Sequence, residues 1–209
     1  MSAKEVLKRY LDECPLIAII RGITPDEAEA MGTAIFEGGI RIVEVPLNSP
    51  DPLKSIERLA SLLGDRALVG AGTVLRAEQV QQVKDVGGRI IVSPDTNVEV
   101  ISAAAASGLV SSPGYFTPSE AFTGLRAGAH ALKLFPAEAS SPAVLKAQLA
   151  VIPRDVPVMV VGGVQPDNMH PWLDAGASGF GLGGGLYKPG QSAEETLQKA
   201  RAYVAGVGR

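Results

Sequence analysis

LVSSPGYFTPSEAFTGLRAGAHALKLFP, residues 109–136, carries one full repeat of this chain's architecture. It opens on a strand-length apolar run at 109–114. Thr117-Pro118-Ser119-Glu120 follows as a helix start, with a capping hydroxyl, proline at the first helical position and an acid in the first turn. A helix-patterned segment then runs to Gly128, a residue type that ends helices. The next apolar run, HALKLFP at 130–136, is closed by proline.

The same order recurs along the whole sequence. Strand-length runs begin near Pro15, Ile40, Ala67, Arg89, Leu109, His130, Val156 and Ser178. Thr24-Pro25-Asp26-Glu27 and Ser49-Pro50-Asp51 have the pattern of further helix caps, and glycines at 38–39, 64, 87–88, 108 and 176 mark helix ends. A repeat of roughly 20 to 27 residues holds one strand, one helix and two short loops. Eight such units predict an α/β fold, a (β/α)8 barrel with no free edge, and an extra N-terminal helix covering its bottom. An open doubly wound sheet would need fewer strands and a switch point, and no GxGxxG opens a helix after the first strand.

A chain of 209 residues with 46% apolar content supports one domain, expected over 1–209. The net charge of −3 is dispersed, which argues against nucleic-acid and membrane-surface partners. The apolar runs are strand-sized, far short of the ~18 residues of a membrane span. Residues 1–13 are amphipathic and charged, unlike a secretory signal, so a soluble cytoplasmic protein is expected. Cys14 is the one cysteine, which excludes an intrachain disulfide framework and a cysteine zinc site.

Strand alternation within 130–136 puts Ala131, Lys133 and Phe135 on one face and Leu132 and Leu134 on the other. A buried ammonium must be paired or lose its proton, and a neutral amine in a pocket is a nucleophile for ketones. By itself the segment is better satisfied by a lysine that snorkels to water or pairs with a carboxylate. Its surroundings favour chemistry. In such barrels the reactive groups sit at the C-terminal ends of strands, where Arg21 ends the first strand, Glu44 lies late in the second and Thr73 follows the third. Arg21 and Glu44 also read as a rim ion pair, and Thr73 as a helix cap. Together they offer a lysine, a carboxylate and a cation to one small ligand.

The last two strands end in Gly162-Gly163-Val164 and Gly181-Leu182-Gly183-Gly184-Gly185. Exposed backbone N–H groups at that end of a barrel suit a phosphate, although tight turns alone also explain glycines. His130 and His170 are the two histidines, one at the start of a strand and one beside Pro171 and Trp172, and no ligand-spaced cluster appears. Neither metal nor cofactor is expected.

These residues make the chain resemble the 2-keto-3-deoxy-6-phosphogluconate/galactonate aldolases, from Pro15 to about Ala205. The resemblance is carried by IIRGITPDEA (19–28), VEVPLNSP (43–50), VGAGTVL (69–75), SPG (112–114), ALKLFPAE (131–138) and VGGVQPDN (161–168). VEVPLNSP is similar to the galactonate branch. The resemblance implies a class I aldolase on a (β/α)8 barrel, with Lys133 as the Schiff-base lysine and Glu44 as general acid/base. It further implies Arg21 and Thr73 at the pyruvate-like end, and Pro113 and Phe135 as an apolar wall. Gly162, Gly163, Gly183 and Gly184 would lie at the phosphate, and the assembly would be a homotrimer. Relatives often carry a serine where this chain has Gly184, which removes one hydroxyl contact. The expected reaction is cleavage of 2-keto-3-deoxy-6-phosphogalactonate to pyruvate and D-glyceraldehyde 3-phosphate. The gluconate epimer or 4-hydroxy-2-oxoglutarate is the alternative substrate. Outside that class stand a phosphosugar isomerase or epimerase and a non-catalytic barrel that binds sugar-acid phosphates.

Overall fold

A computed structural model describes residues 1–208. After helix α1 (Ala3–Glu13), strands and helices alternate as β1 (Leu16–Ile19), α2 (Pro25–Glu37), β2 (Ile42–Pro46), α3 (Pro52–Leu63), β3 (Leu68–Gly72) and α4 (Ala77–Asp85). They continue as β4 (Ile90–Val92), α5 (Val98–Ala106), β5 (Val110–Ser112), β6 (Gly114–Tyr115), α6 (Pro118–Arg126), β7 (Leu132–Leu134) and α7 (Pro142–Leu149). The last elements are β8 (Val158–Val161), α8 (His170–Asp174), β9 (Gly179–Leu182) and α9 (Ala193–Gly206).

The strands form one parallel sheet in the order β5-β4-β3-β2-β1-β9-β8-β7-β6. Its two ends are neighbours in sequence, separated by Pro113 alone. The expected fifth strand is thus present but split, because proline has no N–H to give the ladder. The chain still bridges both neighbours there. Gly114 N donates to the Ser93 carbonyl at 2.9 Å, and the Pro113 carbonyl accepts from Lys133 N at 2.9 Å. The sheet therefore closes into the predicted (β/α)8 barrel.

Alternation sorts the strand residues into two cores. Ile17, Ile42, Leu68, Ile90, Val110 and Ala131 form an inner cluster with Leu7, Tyr10 and Leu11 of α1. Most of these strand residues stand near the N-terminal ends of their strands, so α1 plugs the barrel bottom as expected. Its entry is fixed by a capping box between Ser2 and Glu5, and its far end by the Tyr10 hydroxyl donating to the Asp65 carbonyl at 2.8 Å. The opposite strand faces, among them Val43, Val45, Leu132 and Leu134, pack outward with the helices. Cys14 joins that outer core.

Two of the three expected caps are present. Thr24 and Thr117 close capping boxes with Glu27 and Glu120, each with proline at the helix start. The third is displaced. Helix α3 starts at Pro52 with Asp51 at its N-cap, and the Ser49 hydroxyl instead accepts from Gly22 N at 2.9 Å. A second proline, Pro52, moves the helix start two residues on and frees Ser49 to tie the first βα loop to the second.

Candidate active site

Strands β2 and β7 carry the two ionisable groups that enter the barrel interior. Glu44 stands two residues after inward-facing Ile42, and Lys133 two after Ala131. Glu44 is 2% exposed and Lys133 8%. Each buried ion costs several kcal/mol after relaxation unless a partner offsets it. Among the described residues no ion pair joins the two, and Glu44 Oε2 has no hydrogen-bond partner. Packing alone gives no reason for either charge here.

Burial acts on both groups toward neutrality. It pushes the Glu44 carboxyl up to about 7, against the opposing pull of Lys133 and Arg21. It draws the Lys133 amine below its usual range, an effect that Glu44 opposes and Arg21 reinforces. Burial thus favours the uncharged amine that attack requires and leaves a carboxyl able to give or take a proton near neutral pH. The Phe135 ring, with its centroid 4.8 Å from Lys133 Nζ, screens the amine on one side.

Above Lys133 lies an open cavity of about 420 Å³, lined by Arg21, Thr73, Lys133, Phe135, Gly162, Gly163, Gly183 and Gly184. A much smaller void of about 10 Å³ lies against Lys133, Glu44, Ser112 and apolar neighbours such as Val92 and Met159. Lys133 lines both. Glu44 lines only the small one, so it meets the mouth across the lysine. Gly72 allows this placement, since a Cβ there would overlap the Glu44 carboxylate.

Arg21 and Thr73 come together at the rim. Arg21 Nη1 donates to Thr73 Oγ1 at 3.3 Å and to Asn48 Oδ1. Arg21 does not pair with Glu44, and Thr73 does not cap α4, whose N-cap is Arg76. Thr73 has φ of 54°, a left-handed backbone that a β-branched residue adopts only when its surroundings hold it. Asn48, two residues beyond the end of β2, and its pairing with Arg21 went unread in the sequence.

Gly162 and Gly163 have φ of 117° and 64°, which glycine adopts without penalty. Their loop is held by Asn168, which donates to the Gly163 carbonyl and accepts from Gln165 N, both at 2.9 Å. Two charged residues unread in the sequence share this end of the cavity. Lys188 lines it beyond the glycine loop, and Glu138 lies against Gly162 and Gly163 so closely that a Cβ on either would strike its side chain. A Cβ on Gly183 or Gly184 would meet nothing within 4 Å, so no steric demand selects glycine at those two positions.

Pro113 departs from the expected apolar wall. It is buried at the strand break, does not line the cavity, and its ring reaches toward Gly124 of α6, 3.4 Å from where a Cβ would stand. Alternation explains this, because inward-facing Ser112 leaves its neighbour on the helix side. His130 lies away from the mouth, lining a groove with Lys4, Leu7 and Leu11 of α1, and its Nδ1 accepts from Ser111 N at 3.1 Å. Among the described residues no three His, Cys, Asp or Glu side chains gather as a metal-binding group, and no helix is long and apolar enough to cross a membrane.

The family model for KDPG and KHG aldolase matches residues 7–201. The sequence is 51% identical over 196 residues to the 2-dehydro-3-deoxy-6-phosphogalactonate aldolase of Escherichia coli K12, covering 94% of this chain and 96% of that one. Identity to the KHG/KDPG aldolase of the same organism is 30% over 180 residues, 86% and 84% of the two chains. A solved native KDPGal structure superposes with a TM-score of 0.92 at 49% identity, covering 94% of this chain and 95% of its own.

Proposed function

This chain belongs to the KDPG and KHG aldolase family, and from that premise we propose that it is a class I aldolase of 2-keto-3-deoxy-6-phosphogalactonate. It cleaves this sugar acid reversibly to pyruvate and D-glyceraldehyde 3-phosphate. The observation that carries the reading is Lys133, a desolvated amine beneath an open cavity with a proton-holding carboxyl at its side. The greater identity to the galactonate enzyme than to the KHG/KDPG enzyme supports the substrate.

In this reading Lys133 attacks the C2 ketone and, with loss of water, forms an iminium that withdraws electrons from the C3–C4 bond. Glu44 works through a water, supplying the proton that carries off the C2 hydroxyl and later accepting that of the C4 hydroxyl. Arg21, held by Asn48 and Thr73, presents two N–H groups to the C1 carboxylate. Phe135 shields the imine. At the far end the Gly162–Gly163 and Gly183–Gly184 amides bind phosphate, with Lys188 supplying a cation. We further propose a homotrimer, self-association being supported by exposed apolar Leu75, Val98 and Phe116 in the βα segments after β3, β4 and β6.

Pyruvate release from the galactonate substrate and its C4 epimer, measured side by side, tests the assignment. A kcat/KM at least tenfold higher for the galactonate form is expected. Equal rates would make the enzyme indifferent at C4, and no pyruvate from either would refute aldolase action.

A further inference from the structure

Glu44 Oε2 is not the only buried polar atom without a partner among the residues lining the small void with Lys133. Ser112 Oγ is in the same condition, on a residue 2% exposed. Both residues line the same small void, together with Lys133. Ser55 and Ser140, the other serines with an unpartnered buried hydroxyl, line neither this void nor the mouth. The position of Ser112 follows from the strand. Val110 faces the barrel interior, so Ser112, two residues on, faces it as well, one step before Pro113 breaks the ladder.

A hydroxyl or carboxyl left unbonded in a protein interior is costly, and the two residues that carry these atoms share one small void. The void of about 10 Å³ is at the size that holds a single water. We propose that Ser112 is a positioning residue for the aldolase reaction: its hydroxyl and the Glu44 carboxyl hold one water in this void against Lys133, and that water carries protons between Glu44 and the reacting centre. A hydroxyl both donates and accepts, so it keeps the water oriented whether Glu44 is acid or carboxylate.

The step it serves is dehydration of the carbinolamine. Glu44 gives its proton to the water, and the water passes another to the C2 hydroxyl. The C–O bond breaks and the hydroxyl departs as water. The nitrogen lone pair forms the C=N bond, leaving an iminium and a Glu44 carboxylate. Two protons move and none is gained or lost.

This inference rests on the proposed aldolase reaction, and the test separates the two. Imine formation with pyruvate is timed by rapid quenching into borohydride, for the parent protein and for Ser112→Ala. The parent should be trapped at Lys133; if it is not, the aldolase reading fails before Ser112 is tested. With the parent trapped, Ser112→Ala should form the imine about tenfold more slowly, with the apparent affinity for pyruvate unchanged. An unchanged trapping rate overturns the proposal, as does a rate loss fully explained by weaker binding. Because the variant can fail to fold, the parent is also timed in mixtures of H2O and D2O. A bowed dependence on deuterium fraction is expected for two protons in flight, and a linear one overturns the relay.

Discussion

Lys133→Ala should abolish pyruvate release while leaving the thermal midpoint within a few degrees, since it replaces a desolvated amine with no ion-pair partner by a small apolar group. Circular dichroism and a coupled assay check both halves. Glu44→Gln should lower kcat by about a hundredfold and still permit slow imine trapping. Its effect on stability has a definite sign. Burial raises the Glu44 carboxyl from its usual 4.5 to about 7, so the folded chain keeps a proton that the unfolded chain has released. That contribution is fully present below about 4.5 and is lost as pH rises through about 7. Urea denaturation should show Glu44→Gln gaining on the parent across this window, by up to roughly 3 kcal/mol at pH 8. A pH-independent difference would mean that Glu44 is not desolvated. Gly184→Ser adds a hydroxyl in open space, and should lower KM for the phosphorylated substrate about threefold or more. Residues of this kind were legible because charge inside an apolar strand is conspicuous. Ser112 was not, since a serine in a strand is chemically bland until its burial and the void beside it are known. Lys188 and Glu138 escaped notice because loop geometry, not periodicity, brings them to the cavity.

Strands and helices were legible through caps, glycines and apolar runs, and errors arose where two prolines or a serine competed for one role. Ser49-Pro50 has the form of a helix start, but Pro52 supplies a second start and Asp51 takes the cap. The break of the fifth strand was also unread, because a proline in a barrel strand removes one bond without ending the strand's course. At this scale the tightest constraint is between β2 and β3. Gly72→Ala places a methyl group where the Glu44 carboxylate lies, and should cut activity at least tenfold while preserving the helical circular dichroism signal. Activity equal to the parent's would show that Glu44 moves freely. The capping box at Thr117 is a separate matter of stability, and Thr117→Ala should cost about 1 kcal/mol by urea denaturation with little effect on kcat.

The whole molecule divides its work between two ends. α1 seals the bottom with Leu7, Tyr10 and Leu11, and the top keeps its βα loops for ligand. Leu7→Ala should therefore destabilise the fold by roughly 2 to 5 kcal/mol yet leave KM unchanged where the protein remains folded. Barrel topology was available from the eight repeats, whereas the depth of the site was not. Glu44 reaches the reaction from the barrel interior rather than from the mouth, since it lines the inner void and not the open cavity. The central claim is that this buried lysine is a nucleophile, and it is tested most directly by incubating the protein with pyruvate and borohydride, then mapping the peptides by mass spectrometry. A reduced pyruvyl adduct on Lys133 is the predicted result. An adduct on another lysine, or none although pyruvate binds, would contradict it.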